Sequence, residues 1–265
     1  MVRLLFLTLL FIMSMAQIGH AESIDDDLRQ KLFLTTPKAR VTNIIDGQTF
    51  VINNTKTIHL PAIYIPWETP QSQGQYGAKA KKFLESTINE KFVRIYQVRN
   101  NERALQNALG HQEGYVTIDG QLLQSLLLEK GLAFAYPTQS HFIIADMLYK
   151  AEAKAQDDKL GFWTDDRWHV LTPDTAEGVE NGFAIIEGTV KKVASRNNVI
   201  YLNFGDHWKD DMTVAAASDL RRDFSKAGIS IMQLAGQKIR ARGWIREYNG
   251  PFIEIFHPSQ IEVLE

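Results

Sequence analysis

The chain has 265 residues, 45% of them hydrophobic and 23% charged, with a formal net charge of −2 and no cysteine. These proportions fit a globular protein that can bury a core, and they exclude a polycation that coats nucleic acid or an anionic membrane through net charge alone. The lack of cysteine excludes disulfides, thiolate metal sites, cysteine nucleophiles and lipid attachment through sulfur.

Arg3 precedes an apolar run from Leu4 to Met15, and Gly19-His20-Ala21 places small residues at −3 and −1 of a cleavage site. A basic start, a short apolar centre and a small-residue exit predict a secretory signal peptide over 1–21; a membrane span wants about 20 apolar residues. The expected protein is periplasmic or secreted, with no transmembrane segment in its mature chain. Residues 22–37, acidic at Asp25-Asp26-Asp27, read as a leader to the fold.

Three β-type runs follow, Arg40 to Ile45, Gln48 to Asn53 and Thr55 to Leu60, separated by the turn pairs Asp46-Gly47 and Asn53-Asn54. Pro61, Pro66 and Pro70 bound a loop, because proline continues neither a ladder nor a helix. Gly77 to Ile88 has a helical pattern, with Lys79, Lys81 and Lys82 as a solvated face or part of a phosphate-facing patch. Strands are expected at Phe92 to Val98 and Gly114 to Ile118, and helices at Gln121 to Lys130, capped by Gly131, and at Phe142 to Asp157. Residues 167–182, rich in Pro, Gly and acids, read as a linker. A second β-rich block runs over 183–265: strands at Ala184 to Val193, Val199 to Phe204 and Met212 to Ala216, a helix at Asp219 to Ala227, a hairpin turning at Asn249-Gly250, and a last short strand at Gln260 to Leu264.

The segments Asp46-Gly47-Gln48-Thr49, Ile58-His59-Leu60 and Ile63-Tyr64-Ile65-Pro66-Trp67-Glu68, with Gly131-Leu132-Ala133 and Gly161-Phe162-Trp163 further on, resemble the staphylococcal-nuclease-like (thermonuclease) family. That family reads Asp-Gly-Asp-Thr, Ile-Arg-Leu and Gly-Ile-Asp-x-Pro-Glu. The resemblance implies an α+β, mainly β fold: an OB-type five-stranded barrel with packed helices over 38–166. The block at 183–265 resembles the small OB-like β-barrel that extends some secreted members.

The family cleaves phosphodiesters with one Ca²⁺, a Glu that activates water, and two Arg that grip phosphate. Asp46 matches a metal-site position, Gln48 and Tyr64 stand where carboxylate ligands are expected, and Trp67 takes the place of the catalytic Glu, with Glu68 one residue late. His59 and His111 replace the two Arg. A neutral amide and a phenol are poor Ca²⁺ ligands, and an unperturbed His is mostly neutral at pH 7. The expectation is therefore an impaired site: no cofactor, or Ca²⁺ if the family chemistry survives. On paper His59, His111 and Glu68 could instead form a Zn²⁺ or acid/base set, against the plainer reading of half-buried histidines filling space; no His-x-x-x-His spacing supports a metal.

Lys238, Arg240, Arg242, Trp244 and Arg246 alternate along one predicted strand and would share one side of it. Such a stripe suits single-stranded nucleic acid, phosphates on the cations and a base on the aromatic, or is simply a solvated sheet face. Three functions stay open: an impaired nuclease-like protein that binds nucleic acid or a partner, an active nuclease with an atypical site, and a protein-binding module of the cell envelope.

Overall fold

The computed structural model describes residues 24–66, 74–98, 105–138, 141–179, 181–207 and 209–264. The signal peptide expected over 1–21 lies outside the described residues.

The first unit contains α1 (Ile24–Lys31), β1 (Phe33–Ile44), β2 (Thr49–Ile52), β3 (Lys56–His59), β4 (Ile63–Tyr64), α2 (Gly74–Ile88), β5 (Phe92–Gln97), β6 (Gln112–Glu113), β7 (Tyr115–Ile118), β8 (Gln121–Leu122), α3 (Leu123–Glu129), β9 (Phe134–Ala135) and α4 (Ala145–Asp157). The main sheet runs β6-β3-β2-β1-β5-β7-β8. Register shifts bend β1, so its second half pairs with β2 and its first half with β5. β6 and β7 are one strand interrupted at Gly114, where a Cβ would stand 2.7 Å from Ile95. The order thus sets β6 and β7, neighbours in the chain, on opposite sides of the ladder, an OB-type arrangement, with β3 and β6 parallel. The apolar stripes of α2 (Ala80, Leu84, Ile88), α3 (Leu127, Leu128) and α4 (Leu148) close over a core that includes Val41, Phe50 and Ile58.

Within the stretch read as a leader, Ile24–Lys31 is a helix, Leu28 and Leu32 are buried in the first core, and β1 begins at Phe33, so residues 24–37 pack with the first unit.

The second unit contains β10 (Gly182–Thr189), β11 (Lys192–Arg196), β12 (Val199–Asn203), β13 (Thr213–Ala217), α5 (Arg221–Lys226), β14 (Lys238–Glu247), β15 (Pro251–Ile255) and β16 (Ile261–Val263). Its order is β10-β14-β15-β13-β12-β11, with β13 and β15 parallel and β16 on β14. β10 and β11, at the two ends of this order, are consecutive in the chain, and α5 lies between β13 and β14, again an OB-type order. Left-handed Asn197-Asn198 and Asn249-Gly250 make the two tight hairpin turns. The stretch read as a linker is tied to this unit: Leu171 donates to Ile185 O and accepts from Glu187 N.

The two units share an apolar seam. Tyr76, Phe134 and Phe162 of the first form one buried cluster with Phe183 and Ile185 of the second. Beside it Arg242, fully buried, donates to Glu152 on α4 (2.7 Å), to Ala135 O (2.8 Å) and to Glu262 (2.6 Å), and stacks on Tyr149. Tyr149 donates to Ser259 O, and Ser259 Oγ donates to Pro137 O.

Candidate functional site

The turn after β1 is built by its own residues. Ile45 N and Asp46 N both donate to Thr49 O, and Asp46 Oδ1 accepts from Gln48 N at 2.7 Å. Gly47 admits α2: a Cβ there would stand 2.7 Å from Ala80. Gln48 then binds the loop after β3. Its backbone carbonyl accepts from Leu60 N, and its side-chain nitrogen donates to Leu60 O at 2.7 Å and Ile63 O at 2.9 Å. The two carbonyls fix the orientation of this amide, because only the NH₂ end can face both. Ala62, at φ 64°, turns the chain between them.

His59 sits at the end of β3, with Nδ1 3.1 Å from Thr49 Oγ1 and Nε2 3.3 Å from the Gln48 amide nitrogen. Burial pushes its pKa below the ordinary histidine value; the charges of Glu113 and Asp46 oppose this, and those of His111 and His141 add to it. The imidazole is therefore neutral at pH 7, where a phosphate grip would need a cation.

The parallel pairing of β3 with β6 sets His59 opposite Glu113. Glu113 Oε2 lies 2.8 Å from His141 Nε2, and His141 Nδ1 lies 3.0 Å from the Tyr115 hydroxyl, which also donates to His141 O. Burial would raise the Glu113 carboxyl, but the His141 hydrogen bond and the His141 and His59 charges outweigh it and hold it below the usual range. Burial and the Glu113 charge push the Tyr115 phenol far up, so it stays a donor. His111 hangs from a turn knitted by Asn107, whose Oδ1 accepts from His111 N and Leu109 N. Its buried Nδ1 has no hydrogen-bond partner among the described residues.

The structure thus brings Asp46, Gln48, His59 and His111 into one electrostatic neighbourhood and adds Glu113, His141 and Tyr115, which sequence reasoning missed. One signal was available: an OB order requires the third and fifth strands to run parallel, and that sets Glu113 beside His59. Tyr64 packs its ring into the seam between the two units. Its ring packs on Phe183 (5.0 Å between centroids), Trp244 (5.2 Å) and Phe134 (6.4 Å). Trp67 and Glu68 lie outside the described residues.

The donors do not fit calcium, which takes six to eight oxygens with carboxylates foremost. Asp46 offers the one carboxylate of the expected set, and one of its oxygens already caps Gln48 N. Gln48 presents nitrogen to the carbonyls of the loop, and Tyr64 lies in the aromatic seam. Among the described residues, no group of three or more His, Asp or Glu is placed to hold a metal ion.

The stripe on β14 is corrected in its middle. The even-numbered side chains do share a side, but that side meets the first unit: Arg242 is fully buried against Glu152 and Glu262 and is open to no ligand. Lys238 and Arg240 both face Glu187, at 3.8 and 3.4 Å. Trp244 is half exposed at the edge of the seam, and Arg246 pairs with Glu254 at 3.2 Å. Along α2, Lys79 and Lys82 are exposed, and Lys79 lies over the Tyr76 ring.

No curated protein matches the chain. Residues 57–165 match the sequence model of the family described as staphylococcal nuclease homologue. The match begins at Thr57, on β3, and ends past α4, spanning His59, Tyr64, His111 and Glu113. Residues 57–165 of this chain are a staphylococcal-nuclease-like domain segment.

Proposed function

We propose that the protein binds nucleic acid without the calcium-dependent phosphodiester cleavage of its family, in a periplasm or outside the cell. The observation that carries this reading is the Gln48 amide. A carboxylate ligand is expected at that position, and Gln48 instead uses both N–H groups to hold the loop that carries the next ligand position. Charge is missing from the phosphate grip as well, since burial keeps His59 neutral. Losing one preorganised donor to a developing oxyanion costs about 10²–10³ in rate, and several are replaced here. The basic, apolar and small-residue run of 1–21 supports the location.

The test is to incubate the full-length protein with single-stranded DNA and RNA in calcium, in zinc and in chelator, and to measure binding across a salt series. Expected are intact strands in all three conditions and an affinity that falls with salt. Calcium-dependent cleavage would overturn the loss of activity; no binding at low salt would overturn the nucleic-acid reading in favour of a protein partner.

One observation favours a second reading, cleavage by an atypical set. Glu113 is a carboxylate held ionised, opposite a neutral His59, a pair able to accept and pass a proton. That reading requires cleavage that survives chelation and disappears in Glu113→Gln.

A further inference from the structure

The second unit carries a groove on the sheet face remote from its core, with a cavity of about 360 Å³. Its floor is one row of side chains drawn from four strands, with Arg246 of a fifth strand just beyond the row's aromatic end. Cross-strand partners point to the same face, and the register runs Lys192 to Asn203, Asn203 to Thr213, Thr213 to Phe252 and Phe252 to Arg246. Thr213 Oγ1 donates to Asn203 Oδ1 at 3.2 Å, which fixes the polar middle of the row. Lys192 closes one end as an exposed cation, and at the other end Arg246 is ion-paired with Glu254. Arg246 lies over the Phe252 ring at 5.0 Å and the Tyr248 ring at 5.9 Å and so backs the aromatic end.

The walls are the two tight turns. Arg196 and Asn197 stand on one side, and Tyr248 and Asn249, in the β14–β15 turn, on the other. Tyr248 is 59% exposed although it is a large aromatic. Lys192 and Arg196 are exposed and have no acidic partner among the described residues. The one acid in the lining, Asp206, is paired with Lys191 at 2.8 Å. Charge at the groove is therefore positive, although the whole chain is slightly acidic.

We propose that this groove binds a single-stranded segment of nucleic acid: a base stacks on Tyr248, and Lys192 and Arg196 pair with backbone phosphates. Two unpaired cations flanking exposed aromatic faces are what a chain of phosphates and flat bases requires. An uncharged glycan would use the aromatic faces and the asparagines but would gain nothing from the two cations. The site is separate from the His59 neighbourhood and from the seam that buries Arg242. It rests on the nucleic-acid reading above and gives that reading a location.

The experiment titrates a fluorescent single-stranded oligonucleotide with the full-length protein, with the double variant Lys192→Glu/Arg196→Glu and with Tyr248→Ala. These three residues are exposed, and a melting curve of each variant checks that the fold is kept. For the double variant we expect weaker binding and a slope of log affinity against log salt that is shallower by about 1.4, from two lost phosphate contacts. For Tyr248→Ala we expect at least about fivefold weaker binding, the low end of a stacking contact, with the slope unchanged. If the wild type binds and both variants bind equally well, the groove assignment is overturned while the nucleic-acid reading stands. If the wild type binds no oligonucleotide, both fall; retention of a neutral oligosaccharide would then name the class that replaces it.

Discussion

Gln48 is the residue at which fold and chemistry part. An Asp there would set a carboxylate against the Leu60 and Ile63 carbonyls, replacing two donated hydrogen bonds by repulsion between acceptors. Gln48→Asp, the change that the resemblance points to, should therefore supply a carboxylate without creating a metal site. We expect a loss of roughly 1–3 kcal/mol, the cost of leaving buried partners unsatisfied, read as a lower Tm that added calcium does not recover. A Tm raised by calcium in this variant would mean that the loop can still assemble a metal site. Positions 48, 59, 64 and 111 were legible in the sequence as departures from the motif that the chain resembles. Glu113, His141 and Tyr115 were not, because they meet His59 only through the parallel pairing of β3 with β6, which joins positions 54 residues apart. Tyr64 was legible as a lost ligand but not as part of the seam, since its partners Phe183 and Trp244 belong to the other unit.

Single elements were readable wherever alternation or turn residues marked them, so most strands and helices of the first unit lie within a few residues of their expected places. α1 was the exception. Asp25-Asp26-Asp27 has the composition of a solvated lead-in, but Asp25 accepts from Tyr96 Oη (2.6 Å), Thr117 Oγ1 (2.9 Å) and Arg94 (2.6 Å) and so pins the helix across β5 and β7. Burial alone would raise its carboxyl; the Tyr96 and Thr117 hydrogen bonds and then Arg94 outweigh it and hold its pKa below the usual value. A depressed carboxylate stabilises the fold above its unfolded pKa, about 3.9, and that contribution is lost as pH falls through the lower folded value. Asp25→Asn should thus melt below the wild type at pH 7, with the gap closing as pH drops below about 4. A gap that stays constant down to low pH would mean that Asp25 pins α1 by shape and not by charge. β14 is the complementary case. Its period of two correctly set 238, 240, 242, 244 and 246 on one side, but periodicity gives direction and not depth, and it could not tell that the middle of this side is covered by α4.

The cover is what makes one body of two OB-type units. Arg242 brings a charge into the seam where it is fully buried, and Glu152 on α4 is 2% exposed. Such a pair gives little net stability relative to apolar groups of the same size, yet removing one partner strands the other charge and costs about 3–5 kcal/mol. Arg242→Ala should therefore lower the Tm sharply and uncouple the two units, so that calorimetry resolves two transitions where the wild type gives one. Replacing both partners by apolar residues, Arg242→Met with Glu152→Met, should recover part of the loss, because nothing charged is then left buried, while the Ala135 N–H and C=O give up their side-chain partners; Glu262, at the edge of the seam, keeps access to water. The same variants separate the stripe expected on β14 from the groove proposed for nucleic acid. If Arg242 belonged to a phosphate-binding stripe, the double Met variant would bind oligonucleotide less tightly and with a shallower salt slope. If it is a tie between units, as its contacts with Glu152 and Ala135 require, the double variant keeps both affinity and slope while Lys192→Glu/Arg196→Glu loses them.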